Sequence, residues 1–369
     1  MAKRLSLLMG FSILMVVVGH AAGWGQVAMF NWTHKYLPVA SPNYDLIGTP
    51  AYYTLAFLRQ AGSFAVAAFL FVGGFFSAFS ARTADPKSLW KSVRNRVVAL
   101  LIPYTIWSVL VFIYQFIIGN RLAPLDYLWR FLTWGATGPY YYIPLLIYLS
   151  ILAPLLIPLA KNRPRLLITL AFGIQFILIT IRYLKAYLPA SPTVDILSRI
   201  TPSWLFLQWI VFFTLGMVKG FHLEEFKDWV NRHKKLLVVA LPISLFLSVL
   251  DADLIFRITH INMFAIPILA TTLIYTLAVI LLFVNFAEIP PGISRFFYEL
   301  GSRTYGIYLI HYTAMEITAK LIYRYVPQLL ANIWLLVPIL FVVGLGIPLL
   351  LIEIIRRTPL RKVQRTLIG

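Results

Sequence analysis

The run from Leu5 to Ala22, LSLLMGFSILMVVVGHAA, is unbroken in its apolar character except for one histidine. At about 1.5 Å of rise per residue it is long enough to cross a hydrocarbon core of roughly 30 Å. Its only ionisable side chain, His20, stands about 22 Å beyond Leu5 along such a helix. With Leu5 at the inner face, an imidazole lies in the outer part of the membrane, where a polar ring is costly unless it has a partner or a task.

The rest of the chain repeats this character. Of 369 residues, 60% are hydrophobic and only 12% charged, against about 25% charged in an ordinary soluble domain. Spans are predicted near residues 5–23, 62–81, 97–118, 140–160, 165–184, 203–221, 235–250, 262–287, 300–323 and 332–355. The expectation is an all-α, polytopic membrane bundle of about ten transmembrane helices. With no long linker, repeat or low-complexity tract, residues 1–369 are read as a single membrane-embedded domain. Pro103, Pro144, Pro154, Pro267 and Pro348 fall inside predicted spans, which membrane helices tolerate because neighbouring groups satisfy the freed carbonyls. The longest connection, Trp24 to Ala61, includes an aromatic, weakly amphipathic segment around Tyr52 to Phe57. It is expected to lie on the outer surface or to cap the bundle. Lys3, Arg4 and the small residues Ala21, Ala22 and Gly23 imitate a secretory signal peptide. The run is long for that role and further apolar segments follow it, so a retained first span is expected.

A formal charge of +19 invites a nucleic-acid reading, but the 32 Lys and Arg fall in short clusters between apolar runs. That distribution is what membrane orientation produces, and no nucleic-acid partner is expected. The excess of Lys and Arg on alternate sides predicts both termini in the cytoplasm. Most of these cations are read as orientation signals touching lipid head groups. Arg94 and Arg96 stand apart, because they open a helix on the cytoplasmic side, where a phosphate-bearing ligand would arrive. There is no cysteine, which excludes disulfides, thiolate nucleophiles, Cys-ligated zinc and iron–sulfur clusters. No metal is expected.

The second informative stretch is Gly301-Ser302-Arg303-Thr304-Tyr305-Gly306-Ile307-Tyr308-Leu309-Ile310-His311, another lone histidine in an apolar run. Thr304, Tyr308, His311 and Met315 recur at three- and four-residue spacing and share one helix face. Such a face points into the bundle. Periodicity leaves two accounts of His311 open, a ring bonded to a neighbouring helix or a wall of a substrate cavity. Glu316 lies on a different face from His311, and Glu353 is expected to pair locally with Arg356 and Arg357.

The order of these elements resembles the acyltransferase-3 family of integral membrane O-acyltransferases over nearly the whole chain. ILMVVVGHAA around His20 is similar to that family's opening segment. Phe69-Leu70-Phe71-Val72-Gly73-Gly74-Phe75 resembles its Phe-rich second helix, and Arg96, seven residues before Pro103, its basic third-helix mouth. Tyr141-Tyr142-Ile143-Pro144-Leu145-Leu146, with Pro154, is similar to its aromatic-Pro fourth helix. Gly301 to His311 resembles its Gly-x-x-(Ser/Thr)-Tyr-x-x-Tyr-Leu-x-His segment.

The resemblance implies acyl transfer, most simply of acetyl, from cytoplasmic acyl-coenzyme A to a hydroxyl of an envelope carbohydrate or glycolipid acceptor in the cell membrane. It implies a catalytic His20, acting as base or carrying the acyl group transiently, with Tyr308 and His311 lining the passage or donating to the thioester oxygen. Arg94, Arg96 and Arg303 are the candidates for holding the donor's phosphates. A neutral imidazole in apolar surroundings is suited to the work of a base. Asp195, Asp251 and Asp253 are candidate partners for the second ring nitrogen of His20. The chain departs from the family pattern at two places: Met9 stands where an arginine is usual, eleven positions before His20, and Arg96 is followed by Ala99 where a second arginine is often seen. The alternatives are a transporter or flippase using the two histidines as a proton relay, and a non-catalytic scaffold, the reading that Met9 favours.

Overall fold

The computed structural model describes residues 2–369 apart from 83–84, 134, 190, 203–204, 261–267 and 287–289. Among the described residues there are helices and connections and no strand. A bilayer imposes this, since a spanning helix satisfies its own backbone polar groups. The helices are α1 (Ala2–Phe30), α2 (Pro50–Gly62), α3 (Phe64–Ala81), α4 (Pro86–Ile117), α5 (Pro124–Leu132), α6 (Tyr142–Asn162), α7 (Pro164–Tyr187) and α8 (Pro192–Ile200). They continue as α9 (Ile210–Phe221), α10 (Leu223–Arg232), α11 (Lys234–Thr259), α12 (Ala270–Phe286), α13 (Pro291–Ser302), α14 (Thr304–Tyr325), α15 (Ile333–Arg357) and α16 (Gln364–Ile368).

Among the described residues seven stretches are long and apolar enough to cross a membrane, or up to nine if α9–α10 and α12–α13, bent by 115° and 120°, each count as one span. The predicted span at 300–323 corresponds to α14, which is absent from that set. Glu316, Lys320 and Arg324 interrupt its apolar character. Pro103, Pro154 and Pro348 lie inside α4, α6 and α15 as expected. Pro144 falls in the first turn of α6, and Pro267 lies outside the described residues.

α1 is the central element, lying against α2, α3, α12, α13, α14 and α15. Its approach to α13 is backbone to backbone: a Cβ on Gly10 would stand 1.9 Å from the Phe297 carbonyl oxygen, and one on Gly301 would stand 2.2 Å from that of Ser6. The Gly-Gly motif of α3 works alike against α9, where a Cβ on Gly74 would meet the Phe213 oxygen at 2.0 Å. Close packing of small residues replaces the hydrophobic drive that lipid removes. The outer helices turn large apolar side chains outward, as Ile117 and Phe246 do, where acyl chains solvate them.

The connection after α1 departs from expectation. α1 continues to Phe30, well beyond residue 23, and α2 is a helix joined almost directly to α3 that buries Tyr52, Leu55, Ala56 and Gln60. A Cβ on Gly62 would lie 2.7 Å from the Met15 oxygen, and one on Gly25 would lie 2.8 Å from Leu55. The segment expected to lie on the outer surface or to cap the bundle is thus wedged against α1 between Met15 and Gly25.

Candidate active site

α1 and α14 run parallel and in register. Gly10 lies beside Gly301 at the turn into α14, His20 beside His311, and Trp32, just past α1, beside Tyr323. The histidines, 291 positions apart in the chain, face each other with ring centroids 5.3 Å apart and planes tilted by 44°. Tyr312 meets His20 edge-on at 5.3 Å and packs against Trp24 at 5.8 Å. Tyr308 is 5.8 Å from His311. The face Thr304, Tyr308, His311, Met315 is buried throughout, as its spacing requires.

A third wall comes from the chain between α4 and α6, which folds back into the bundle. Tyr104 Oη donates to the Phe131 carbonyl at 2.5 Å and Gln115 Nε2 to that of Ala136 at 3.0 Å, holding this segment against α4. Tyr140 Oη then donates to the Leu309 carbonyl at 2.5 Å, and Tyr142 stands edge-on to Tyr308 at 5.4 Å. Arg96 closes the floor: its guanidinium donates to the Gly73 carbonyl at 3.3 Å and to Ser77 Oγ, and interacts electrostatically with Tyr142.

Hydrogen bonding gives the site its chemistry. His311 Nδ1 lies 2.8 Å from the Tyr308 carbonyl and 3.1 Å from that of Ile307. A carbonyl only accepts, so Nδ1 carries the proton and the neutral ring presents a lone pair at Nε2. That Nε2 is buried with no partner, as are Tyr308 Oη and Trp24 Nε1. Buried polar atoms normally find partners; others in the bundle, such as those of Gln175 and Ser150, also lack one, and what distinguishes this place is that three gather about one pair of rings.

The predicted basic residues separate. Arg96 reaches the chamber. Arg94 is exposed on the outside of α4, because two residues turn a helix by about 200°. Arg303 lies about 80° around α14 from His311, with Nη2 4.0 Å from Glu353. Glu353 also pairs with Arg356 at 3.7 Å and Arg357 at 2.6 Å. Asp253 is bonded to Tyr52 and Arg257, and Asp251 to Tyr183 and Thr271. Asp195 sits in the first turn of α8. Met9 packs partly buried on the core, about 16 Å along α1 from His20.

One residue that the sequence reading passed over belongs here. Arg59, carried in by α2, interacts electrostatically with His20 and Tyr141. Its signal was available: it is the lone charge in the apolar stretch from 46 to 81, and an isolated intramembrane cation invites a functional reading. Among the described residues no group of three His, Asp or Glu gathers as metal ligands would.

A multi-pass helical membrane protein with two facing histidines in an incompletely hydrogen-bonded polar cluster is the class that this geometry defines. A family model described as an acyltransferase domain matches residues 3–353. The chain belongs to the acyltransferase-3 family and is a membrane acyltransferase. No curated protein and no solved structure matches it.

Proposed function

We propose that this acyltransferase moves an acyl group, most simply acetyl, from cytoplasmic acyl-coenzyme A to a hydroxyl of an envelope carbohydrate or glycolipid. In this reading the chain is one domain in the cell membrane with both termini in the cytoplasm. The donor approaches past Arg96, and the acceptor comes from the opposite side along Trp24 and Tyr312. The observation that carries the proposal is the buried, partnerless Nε2 lone pair of His311 beside His20 in a chain of this family.

His20 takes the proton as the acceptor oxygen attacks the thioester carbonyl, and His311 Nε2 accepts the second N–H of the resulting imidazolium. This assigns His311 an accepting role, because its Nδ1 proton is committed to backbone carbonyls. The negative charge on the carbonyl oxygen then needs donors fixed in advance. Tyr308 Oη, buried without an acceptor, and the guanidinium of Arg59 supply them. When the tetrahedral intermediate collapses, the C–S bond breaks and His20 returns its proton to the thiolate. The products are the acylated hydroxyl and free coenzyme A.

The test incubates purified protein in lipid with radiolabelled acetyl-coenzyme A and candidate glycans, beside a His20→Ala variant. The expected result is label on glycan with the parent and at least about a hundredfold less with the variant. Equal transfer by both would remove His20 from its role. Proton-coupled uptake of glycan without transfer would overturn the reading.

A further inference from the structure

Behind α14, on the side away from the histidines, lies a cavity of about 490 Å³ that the acyl-transfer chemistry does not use. Arg303, Arg356, Arg357 and Arg361 line it with Glu353, and Gly306 forms part of its wall. Gly306 is about 140° around the helix from His311, so a thioester held here would not face the catalytic rings. Glu353 draws three of the guanidinium groups together, at 4.0, 3.7 and 2.6 Å. Cations that only set orientation would spread apart. Arg361 lines the same cavity without a carboxylate of its own, so four cations stand against one anion and leave a concentrated positive charge suited to phosphate.

The surroundings say what carries that phosphate. Val342, Gly346, Leu350, Glu353 and Arg357 recur at three- and four-residue spacing and form one face of α15. Val342 is 65% and Leu350 60% exposed, which in a bilayer means contact with acyl chains. This apolar stripe runs into the cavity where the span Ile333–Arg357 ends, at the depth of lipid head groups. Basic pockets at such a depth bind anionic head groups.

We infer that this cavity is a binding site for an anionic phospholipid, its phosphate held by Arg303, Arg356 and Arg361 and its chains laid along the exposed face of α15. The test is native mass spectrometry of the purified, delipidated full chain incubated with an equal mixture of phosphatidylglycerol and phosphatidylcholine. The parent should retain one phosphatidylglycerol in preference to phosphatidylcholine. An Arg356→Gln/Arg361→Gln variant, and to a lesser degree Arg361→Gln alone, should lose that preference, by roughly tenfold or more for the pair. A Lys87→Gln/Lys91→Gln variant, which removes two exposed cations elsewhere, should keep it. Equal retention by parent and Arg variants, or no preference in the parent, would overturn the inference. Displacement of the lipid by coenzyme A would overturn it too and assign the cavity to the donor, while loss of acyl transfer with lipid binding intact would count only against the catalytic reading.

Discussion

Two polar clusters meet one face of α2, at Tyr52 and, two turns further on, at Arg59, and they differ in one respect. At the first, Asp253 accepts from Tyr52 Oη at 2.5 Å and from Arg257 Nε at 3.0 Å, with Tyr53 Oη 3.5 Å away. Its charge and acceptors are matched. At the second, the group around His20 and His311 leaves Nε2 of His311, Oη of Tyr308 and Nε1 of Trp24 unmatched. Asp253 and Tyr52 are buried, as are His311 and Tyr308, although Arg257 reaches the surface, so burial of the central groups does not separate the clusters. The closed cluster fastens α2 to α11, and the open one holds the unmatched groups that the proposed transfer would use.

The sharpest way to break this comparison is to remove the open acceptor. His311→Gln keeps a polar side chain but presents an amide where a ring nitrogen stood. Acyl transfer should fall by about a hundredfold or more in kcat, with little change in the Michaelis constant for either substrate and no loss of folded protein by size-exclusion chromatography. Full activity in this variant would make His311 a packing residue and return the second-nitrogen role at His20 to another group.

Next in size is the pair of donors. Tyr308→Phe deletes a single oxygen from a buried ring, and Arg59→Gln removes the cation beside His20. Each should lower kcat by about tenfold to a hundredfold, in keeping with the loss of one fixed oxyanion donor. Arg94→Gln, on the exposed side of α4, should leave kcat and the donor Michaelis constant unchanged. Steady-state kinetics on the three variants would separate a chamber cation from a surface cation. Equal behaviour of Arg59→Gln and Arg94→Gln would remove Arg59 from the site.

These residues also show what the sequence made legible. His20 and His311 stood out because each is a lone ionisable group in an apolar run, and the three- and four-residue spacing around His311 already gave its buried face. Even its proton placement is local, since the carbonyls that fix Nδ1 belong to Ile307 and Tyr308, three and four residues back. Arg94 and Arg96 stand together at the start of a helix, although their opposite helical phases allow only one to face inward. Arg59 carries the same lone-charge signal as the histidines. The aromatic, weakly amphipathic pattern around Tyr52 to Phe57 speaks against it by suggesting a segment on the surface or capping the bundle. α2 is drawn inward by a bond from Tyr52 to a carboxylate 201 residues away, which no local pattern contains. α14 shows the same limit of local pattern: it is enclosed by protein for much of its length, so it can carry Glu316 and Lys320, paired at 2.5 Å, without the apolarity that lipid contact demands.

The smallest effect on catalysis is expected from the closed cluster. Asp253→Asn retains the shape of the side chain and removes its charge, so Arg257 loses its ion pair and Tyr52 donates to a weaker acceptor. Because Tyr52 is wholly buried, its hydroxyl has no water to turn to, and a buried bond spoiled in this way costs about 1–3 kcal/mol. The midpoint of thermal unfolding should therefore fall by a few degrees, while kcat below that temperature stays within about twofold of the parent. The two halves of the result belong together. α2 holds both Tyr52 and Arg59, so a fall in kcat as large as that of Arg59→Gln would mean that the matched cluster positions the proposed donor Arg59, and that fastening and function are not divided between the two ends of the helix.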